Sequence, residues 1–266
     1  MKIGGILETS HKRQLIWRLA KNDFKKRYAG SYLGALWALA QPLITVGMYY
    51  IVFGRIFPDQ RQSGDVPFVL FLTAGLVPWF FFTEALTYGT NALLDYNYLV
   101  KKVVFDVNVL PLIKVIAAVF IHIFFALVLL VLGCVYHYYP SVYTLQIPYY
   151  SFCLFMLVLG MCYLTSGVVV FFRDLTQIIV ILLQLGMWAT PIMWDMDALK
   201  SETIKNLLKI NPLVYIVRGY RDAVYGGVWF NGSLLYTLYF WAVTALIFFL
   251  GRVLFKRLKP HFADVL

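Results

Sequence analysis

The sequence predicts an all-α integral membrane protein. Six helices cross the bilayer, an amphipathic helix lies at the interface before them, and a re-entrant helical hairpin sits on the outer face. Three observations predict it. Hydrophobic residues fill 61% of the 266 positions and charged residues only 14%, far above the apolar share of a water-soluble domain. Several uncharged runs reach the ~20 residues that a helix needs to cross the hydrocarbon core. Lys and Arg gather in alternate connections, the asymmetry that orients polytopic chains. A transmembrane β-barrel would show short alternating segments, and these runs are long and continuous.

The chain reads as one domain over 1–266, with a polar N-terminal segment (1–32), a six-span bundle (33–254) and a tail (255–266). The N-terminal segment lacks the apolar core of a cleavable signal. Within it, "RQLIWRLAKNDFKKRY" (13–28) is amphipathic. Ile16, Ala20, Phe24 and Tyr28 form one stripe beside Leu15 and Leu19, with Arg18, Lys21, Asn22 and Lys25 opposite. Such a helix lies in the inner interface. It serves either as a topology anchor or as a basic collar for an anionic head group.

The spans fall at roughly 33–54, 67–90, 110–136, 149–172, 176–194 and 232–254. Residues 149–194 cannot be one helix, which would be ~70 Å long, about twice the core. Arg173 and Asp174 therefore mark a turn where the chain surfaces, since a charge at mid-bilayer costs ~2.5–3.5 kcal/mol. The N-terminal segment, Lys101 and Lys102 with Lys114 just beyond, Arg173 and the tail's Lys256, Arg257 and Lys259 all fall on one side. By the positive-inside rule that side, with both termini, is cytosolic. Residues 196–222 break the rule with five basic residues. "NPLVYIVRGYRDAVYGG" (211–227) is too short and charged for a seventh span. Leu213, Val217, Tyr220 and Val224 recur at helical spacing, so it reads as the second helix of a re-entrant hairpin, with Pro212 near its start. A surface loop with a short helix is the alternative.

Chemistry is sparse. The segment "LLDYNYLVKKVVFDVNVLP" (93–111) clusters Tyr98, Leu99, Val103, Val104 and Phe105 more densely than a solvated loop needs, which suits a helix docking on a cytosolic partner. Glu84 and His122 lie inside apolar spans, where an ionisable group is a functional candidate by default. Satisfied packing, or for Glu84 reach to the interface, is the other reading. Trp37, Tyr49, Tyr50 and Phe53 in the first span are candidates to line a path for sugar rings. Cys134, Cys153 and Cys162 have no metal or redox spacing and read as buried small side chains. "DMD" (195–197) is a weak match to a glycosyltransferase metal site. No GxxxxGK[ST] and no nucleic-acid motif occurs.

Four stretches carry a resemblance covering essentially the whole chain. They are "RYAGSYLGALWALAQPL" (27–43), "FFRDLTQIIVILLQLGMWATPI" (171–192), "NPLVYIVRGYRDAVYGG" and "LKPHFADVL" (258–266). Together the chain resembles the type-2 ABC-transporter permeases that export polysaccharides and polyol phosphates, including O-antigen and wall teichoic acid exporters. The resemblance implies a homodimer carrying two copies of a separate P-loop ATPase, which would bind ATP and Mg; this chain would hold no cofactor. It implies a bacterial cytoplasmic-membrane location and a cargo on an undecaprenyl-pyrophosphate-type carrier. It places ATPase coupling at Tyr96, Tyr98, Leu99, Lys101, Lys102 and Phe105, with a second contact at Arg173 and Asp174. Lys25, Lys26 and Arg27 would meet the anionic carrier. Pro212, Tyr215, Arg218, Tyr220 and Arg221 would belong to an external gate. A permease for a small amphiphile or drug, and a gradient-driven transporter using Glu84 and His122, are the competing readings.

Overall fold

In the computed structural model the described residues are 3–27, 32, 34, 36–52, 56, 66–101 and 106–266, with 3–12 and 231 described by backbone alone. Among them every regular element is helical. In chain order, α1 (Ile3–Arg27) precedes α2 (Leu36–Ile51) and α3 (Phe68–Thr90). Two single turns, α4 (Ala92–Asp95) and α5 (Asn97–Val100), extend α3. Then come α6 (Val109–Val135), α7 (Gln146–Val169) and α8 (Leu175–Ala189). The short pair α9 (Glu202–Lys209) and α10 (Pro212–Arg221) leads to α11 (Leu234–Leu258) and the terminal turn α12 (Phe262–Val265).

Four stretches are long and apolar enough to cross a membrane: Phe68–Thr90, Val109–Val135, Val142–Val169 and Leu234–Val265. The apolar helices α2 and α8 are shorter, at 16 and 15 residues, or ~24 and ~22 Å against a core of ~30 Å. The expected fifth span, 176–194, thus stops early. Pro191 disfavours a helical Thr190, whose φ of −98° and ψ of 134° are extended. The sixth instead runs beyond 254 to Leu258.

α3 is apolar all round and buried on nearly every side, the pattern of a helix at the centre of a bundle. It packs chiefly on α6 and α7. α7 pairs with α11 through two glycines. A Cβ at Gly160 would stand 2.9 Å from the Phe248 Cα, and one at Gly251 would stand 2.5 Å from the Gly160 carbonyl oxygen. Without water to drive association, small residues let helices in lipid approach closely.

The helices alternate in direction, which defines two ends. One holds the C-termini of α1, α3, α7 and α11 with the turns between α3 and α6 and between α7 and α8. Thr176 donates to Asn91 Oδ1 at 2.9 Å, and Lys259 approaches Asp106 at 3.6 Å. The other end holds α9 and α10. There Asn211 caps α10 by accepting from the Leu213 N–H at 3.0 Å, and Pro212 occupies the first turn, where its missing N–H costs nothing. Both ends are therefore closed by short polar contacts over a bundle held by apolar packing.

Replacing Gly251 by Val should push α11 off α7. We expect the variant to lose its monodisperse peak in detergent, or to melt at least several degrees below the parent, in size-exclusion and thermal-shift measurements.

Candidate functional site

At the basic end, charges up to 91 residues apart in the sequence meet in a buried cluster. Asp23 of α1 accepts from Lys114 Nζ of α6 at 2.7 Å and lies 3.0 Å from Arg27 Nη2, one helical turn on. Arg27 Nη1 reaches Glu84 Oε1 of α3 at 2.7 Å. Lys114 also holds Asp95 of α4 at 2.8 Å. Tyr96 donates its hydroxyl to Asp23 at 2.8 Å. The Arg27 guanidinium lies 3.8 Å over the Tyr88 ring, a geometry in which a cation gains from the ring's negative face. The side chains of Asp23, Arg27 and Lys114 are only 5–7% exposed.

Burial alone would raise the Asp23 carboxyl. The Lys114 hydrogen bond and charge, with Arg27 and Tyr96, override it and hold the group below its ordinary value. Burial and the bond to Asp23 push the Tyr96 phenol up, so it stays a neutral donor. One cluster thus ties α1, α3, α4 and α6 together beside the expected coupling segment. Within that segment Tyr98 is 50% exposed and Lys101 is exposed, while Tyr96 and Val100 are buried and Leu99 is half-buried. Arg173 and Asp174 are exposed in the α7–α8 turn at the same end.

The expected path residues separate. Lys25 and Lys26 are exposed and, with Leu19, Asn22, Tyr96 and Tyr98, line a cleft of about 390 Å³. Arg27 is committed to Asp23 and Glu84. Trp37 lines a cavity of about 670 Å³ between α2, α3 and α6, together with Glu84, Tyr88 and His122. Tyr49 is half-buried, its hydroxyl 3.7 Å from Met187 Sδ of α8, and Tyr50 is half-buried. Tyr28, Phe53, Lys102 and Phe105 lie outside the described residues. Sequence reasoning missed Asp23 and Asp95 and took Lys114 only as an orienting charge. The available signal was the Asp23–Arg27 spacing of one helical turn and a lone lysine at the head of an apolar run.

At the far end, the expected helix–turn–helix is present. α10 is buried along Leu213–Val217 and Gly219–Arg221, whereas α9 exposes Ile204, Leu207 and, just beyond it, Ile210. A Cβ at Gly219 would collide with the Tyr150 ring, so α10 seats directly on α7. The Tyr220 hydroxyl lies 2.8 Å from His122 Nε2 and 2.6 Å from Ser151 Oγ. Arg221 donates to the Ile192 carbonyl at 2.8 Å and stacks 3.5 Å over Phe71. Asp195 caps a 3-10 turn by accepting from the Asp197 N–H at 3.0 Å, and Asp197 pairs with Arg218 at 3.2 Å. The "DMD" residues are thus placed in local structure, and among the described residues no three His, Cys, Asp or Glu gather as a metal site.

Removing one partner of a buried pair strands a charge, at a cost of about 3–5 kcal/mol. Lys114→Met should therefore destabilise the chain by that order in detergent melts. Adding Asp23→Asn to it should recover part of the loss, because the stranded carboxylate is removed. A carboxyl depressed by folding stabilises above its unfolded value, and this contribution is lost as pH falls through the lower, folded value. Melts of the parent should fall on acidification, and melts of Asp23→Asn should fall less.

Comparison with known proteins agrees with this arrangement. The family model of the ABC-2 type transporter matches residues 14–225. The O-antigen export system permease protein RfbA of Myxococcus xanthus is 28% identical over 253 residues, covering 95% of each chain. A protein of the same name from Klebsiella pneumoniae is 28% identical over 93% of each. The polysialic acid transport protein KpsM of Escherichia coli is 26% identical over 88% of this chain and 89% of its own. With most of its length matched by the family model and its helices arranged as a membrane bundle, the chain belongs to the ABC-2 type transporter family.

Proposed function

We propose that the chain is the permease subunit of an ATP-driven exporter that carries a lipid-linked polysaccharide, or a teichoic acid-like polymer, out across the bacterial cytoplasmic membrane. The observation that carries this reading is the construction of the 92–101 segment. Its outer face offers Tyr98 and Lys101, while its inner face is bolted by Asp95 and Tyr96 to Lys114 and Asp23. A push on such a segment moves α1, α3 and α6 with it, as a lever and not as a loop. The relatives' names and the near-complete coverage of both chains support the cargo class.

In this reading six apolar helices span the membrane, with α2 and α8 as the first and fifth. The basic end and both termini face the cytosol, and α9–α10 forms a re-entrant hairpin outside. Two copies pair along α2 and α8, whose Ile44, Met48, Ile181, Leu185 and Trp188 are exposed apolar side chains. Two copies of a separate ATPase seat on the 92–101 segments and the Arg173–Asp174 turns, and supply ATP hydrolysis. Lys25 and Lys26, beside the cleft under Tyr98, meet the pyrophosphate-type head group of an undecaprenyl carrier. Rigid-body movement of the bundles then opens a path between the two chains.

Purification of the tagged chain from its native membrane in mild detergent tests the ATPase partnership. We expect a P-loop ATPase in equal amount, lost when residues 96–105 are scrambled in a chain that still folds. A folded chain that purifies alone, under conditions that preserve other ABC complexes, would overturn the reading.

A further inference from the structure

The end opposite the charge cluster holds a cavity of about 560 Å³, within the ~300–1,000 Å³ of ordinary small-molecule sites. It opens between α9, α10 and the first two turns of α11. We propose that it is a saccharide subsite, taking one sugar unit that bears a carboxylate or phosphate. This rests on the export reading above and adds a place where the polymer is held.

The walls are aromatic and fixed. The Tyr236 and Tyr239 rings lie nearly parallel, 15° apart with centroids at 6.4 Å. Tyr239 is pinned because its hydroxyl donates to the Ile210 carbonyl at 2.8 Å, and Tyr236 stands edge-on to Tyr215 at 5.3 Å. Trp229 is held against Tyr143 at 5.4 Å and remains 39% exposed. Flat rings offer dispersion contact to the C–H face of a pyranose.

The polar groups suit the hydroxyl edge and an acidic substituent. Lys209 lines the cavity half-buried and has no ion pair among the described residues. Arg218 spends one nitrogen on Asp197, at 3.2 Å, and keeps further donors of its fork. Asp222 supplies an acceptor. With Arg218 balanced by Asp197, Lys209 is left to meet an acidic substituent, and Asp222 to accept from hydroxyls. Independently, the Tyr236 hydroxyl is buried and makes no hydrogen bond among the described residues. Buried hydroxyls in folded proteins nearly always have a partner, and a small turn of the Tyr236 ring towards the cavity would let a sugar hydroxyl be one. An acyl chain would use the rings but leave Lys209, Asp222 and this hydroxyl unmatched.

The test is photo-crosslinking in cells that make their own polymer. A benzophenone amino acid replaces Leu235, which lines the cavity and is 84% exposed. A second strain carries it at Leu238, which is exposed but does not line the cavity. We expect irradiation at Leu235 to give an adduct containing the polymer's sugars by mass spectrometry, absent when polymer synthesis is blocked. Tyr236→Phe, which keeps the ring, and Lys209→Gln, which keeps much of the stem, should each cut its yield several-fold at equal protein level. Leu238 should capture phospholipid only. If deleting the chain abolishes surface polymer but Leu235 yields no sugar adduct, or one indifferent to both variants, the subsite is refuted while the export reading stands. If deletion leaves surface polymer unchanged, both fall together.

Discussion

The ion pair between Asp23 and Lys114, 2.7 Å long and shut off from water, is the contact on which the basic end depends. A carboxylate and an ammonium are expensive to bury singly, and their attraction repays the loss only when geometry is good and spare hydrogen-bonding capacity is filled. Here it is filled. Arg27 and Tyr96 complete the Asp23 carboxylate, while Asp95 takes a second donor of Lys114. α1 carries too many charges to enter a bilayer, so its position against the bundle comes from this cluster and from a few rings. Trp17 and Phe24 meet Phe120 of α6 edge-on at 5.2 and 5.9 Å. Without the cluster, α1 would keep its apolar packing through Ile16, Leu19, Ala20 and Phe24 but lose its charged ties to α3 and α6.

The same helices link this end to the other. α3 presents Glu84 to Arg27 near one end and Phe71 to Arg221 near the other. α6 presents Lys114 to the cluster and His122 to Tyr220 of the hairpin. Because α3 is buried on nearly all sides against α6 and α7, the two helices behave as one packed body. α3 and α6 thus connect the cluster beside the 92–101 segment to α10 through helix alone. Charge at one end and hydrogen-bonded tyrosines at the other act as clamps on a common apolar shaft. Glu84 pairs with Arg27 and His122 Nε2 meets Tyr220, and both side chains also line the cavity between α2, α3 and α6.

The hairpin and the α7–α11 pair show how tightness is reached without aqueous hydrophobic pressure. Gly160, Gly251 and Gly219 remove side chains where backbone or ring must come close. α10 then stacks Tyr215 on Phe240 at 4.8 Å, and shared hydroxyl contacts join Tyr215 to Tyr149 and Thr237. The exposed face of α9 and the aromatic cavity beside it lie outside this sealed layer, which leaves them available for recognition.

The sequence by itself determined the class, the helices and which turns share an end. Long uncharged runs leave a chain in lipid no alternative to helices that satisfy their own backbone, and five of the six expected spans match helices to within a few residues at most boundaries. The fifth was over-extended although Pro191 was in view, because the apolar run continues past the proline and hydropathy does not register backbone restriction. The segment after α3 and the Arg173–Asp174 turn were legible as turns at the basic end because charge and aromatics in an otherwise apolar chain have few places to go. What only the tertiary structure decided was which charges stay exposed and which face each other. Lys25, Lys26 and Arg27 are consecutive and chemically alike, yet helical rotation turns two of them outward and carries Arg27 into the bundle, where Asp23 and Glu84 claim it. Likewise, Tyr220, Ser151 and His122 come from three separate helices, and no spacing along the chain predicts that they touch. Periodicity reports the face of one helix; which face meets which neighbour is set by how the helices pack.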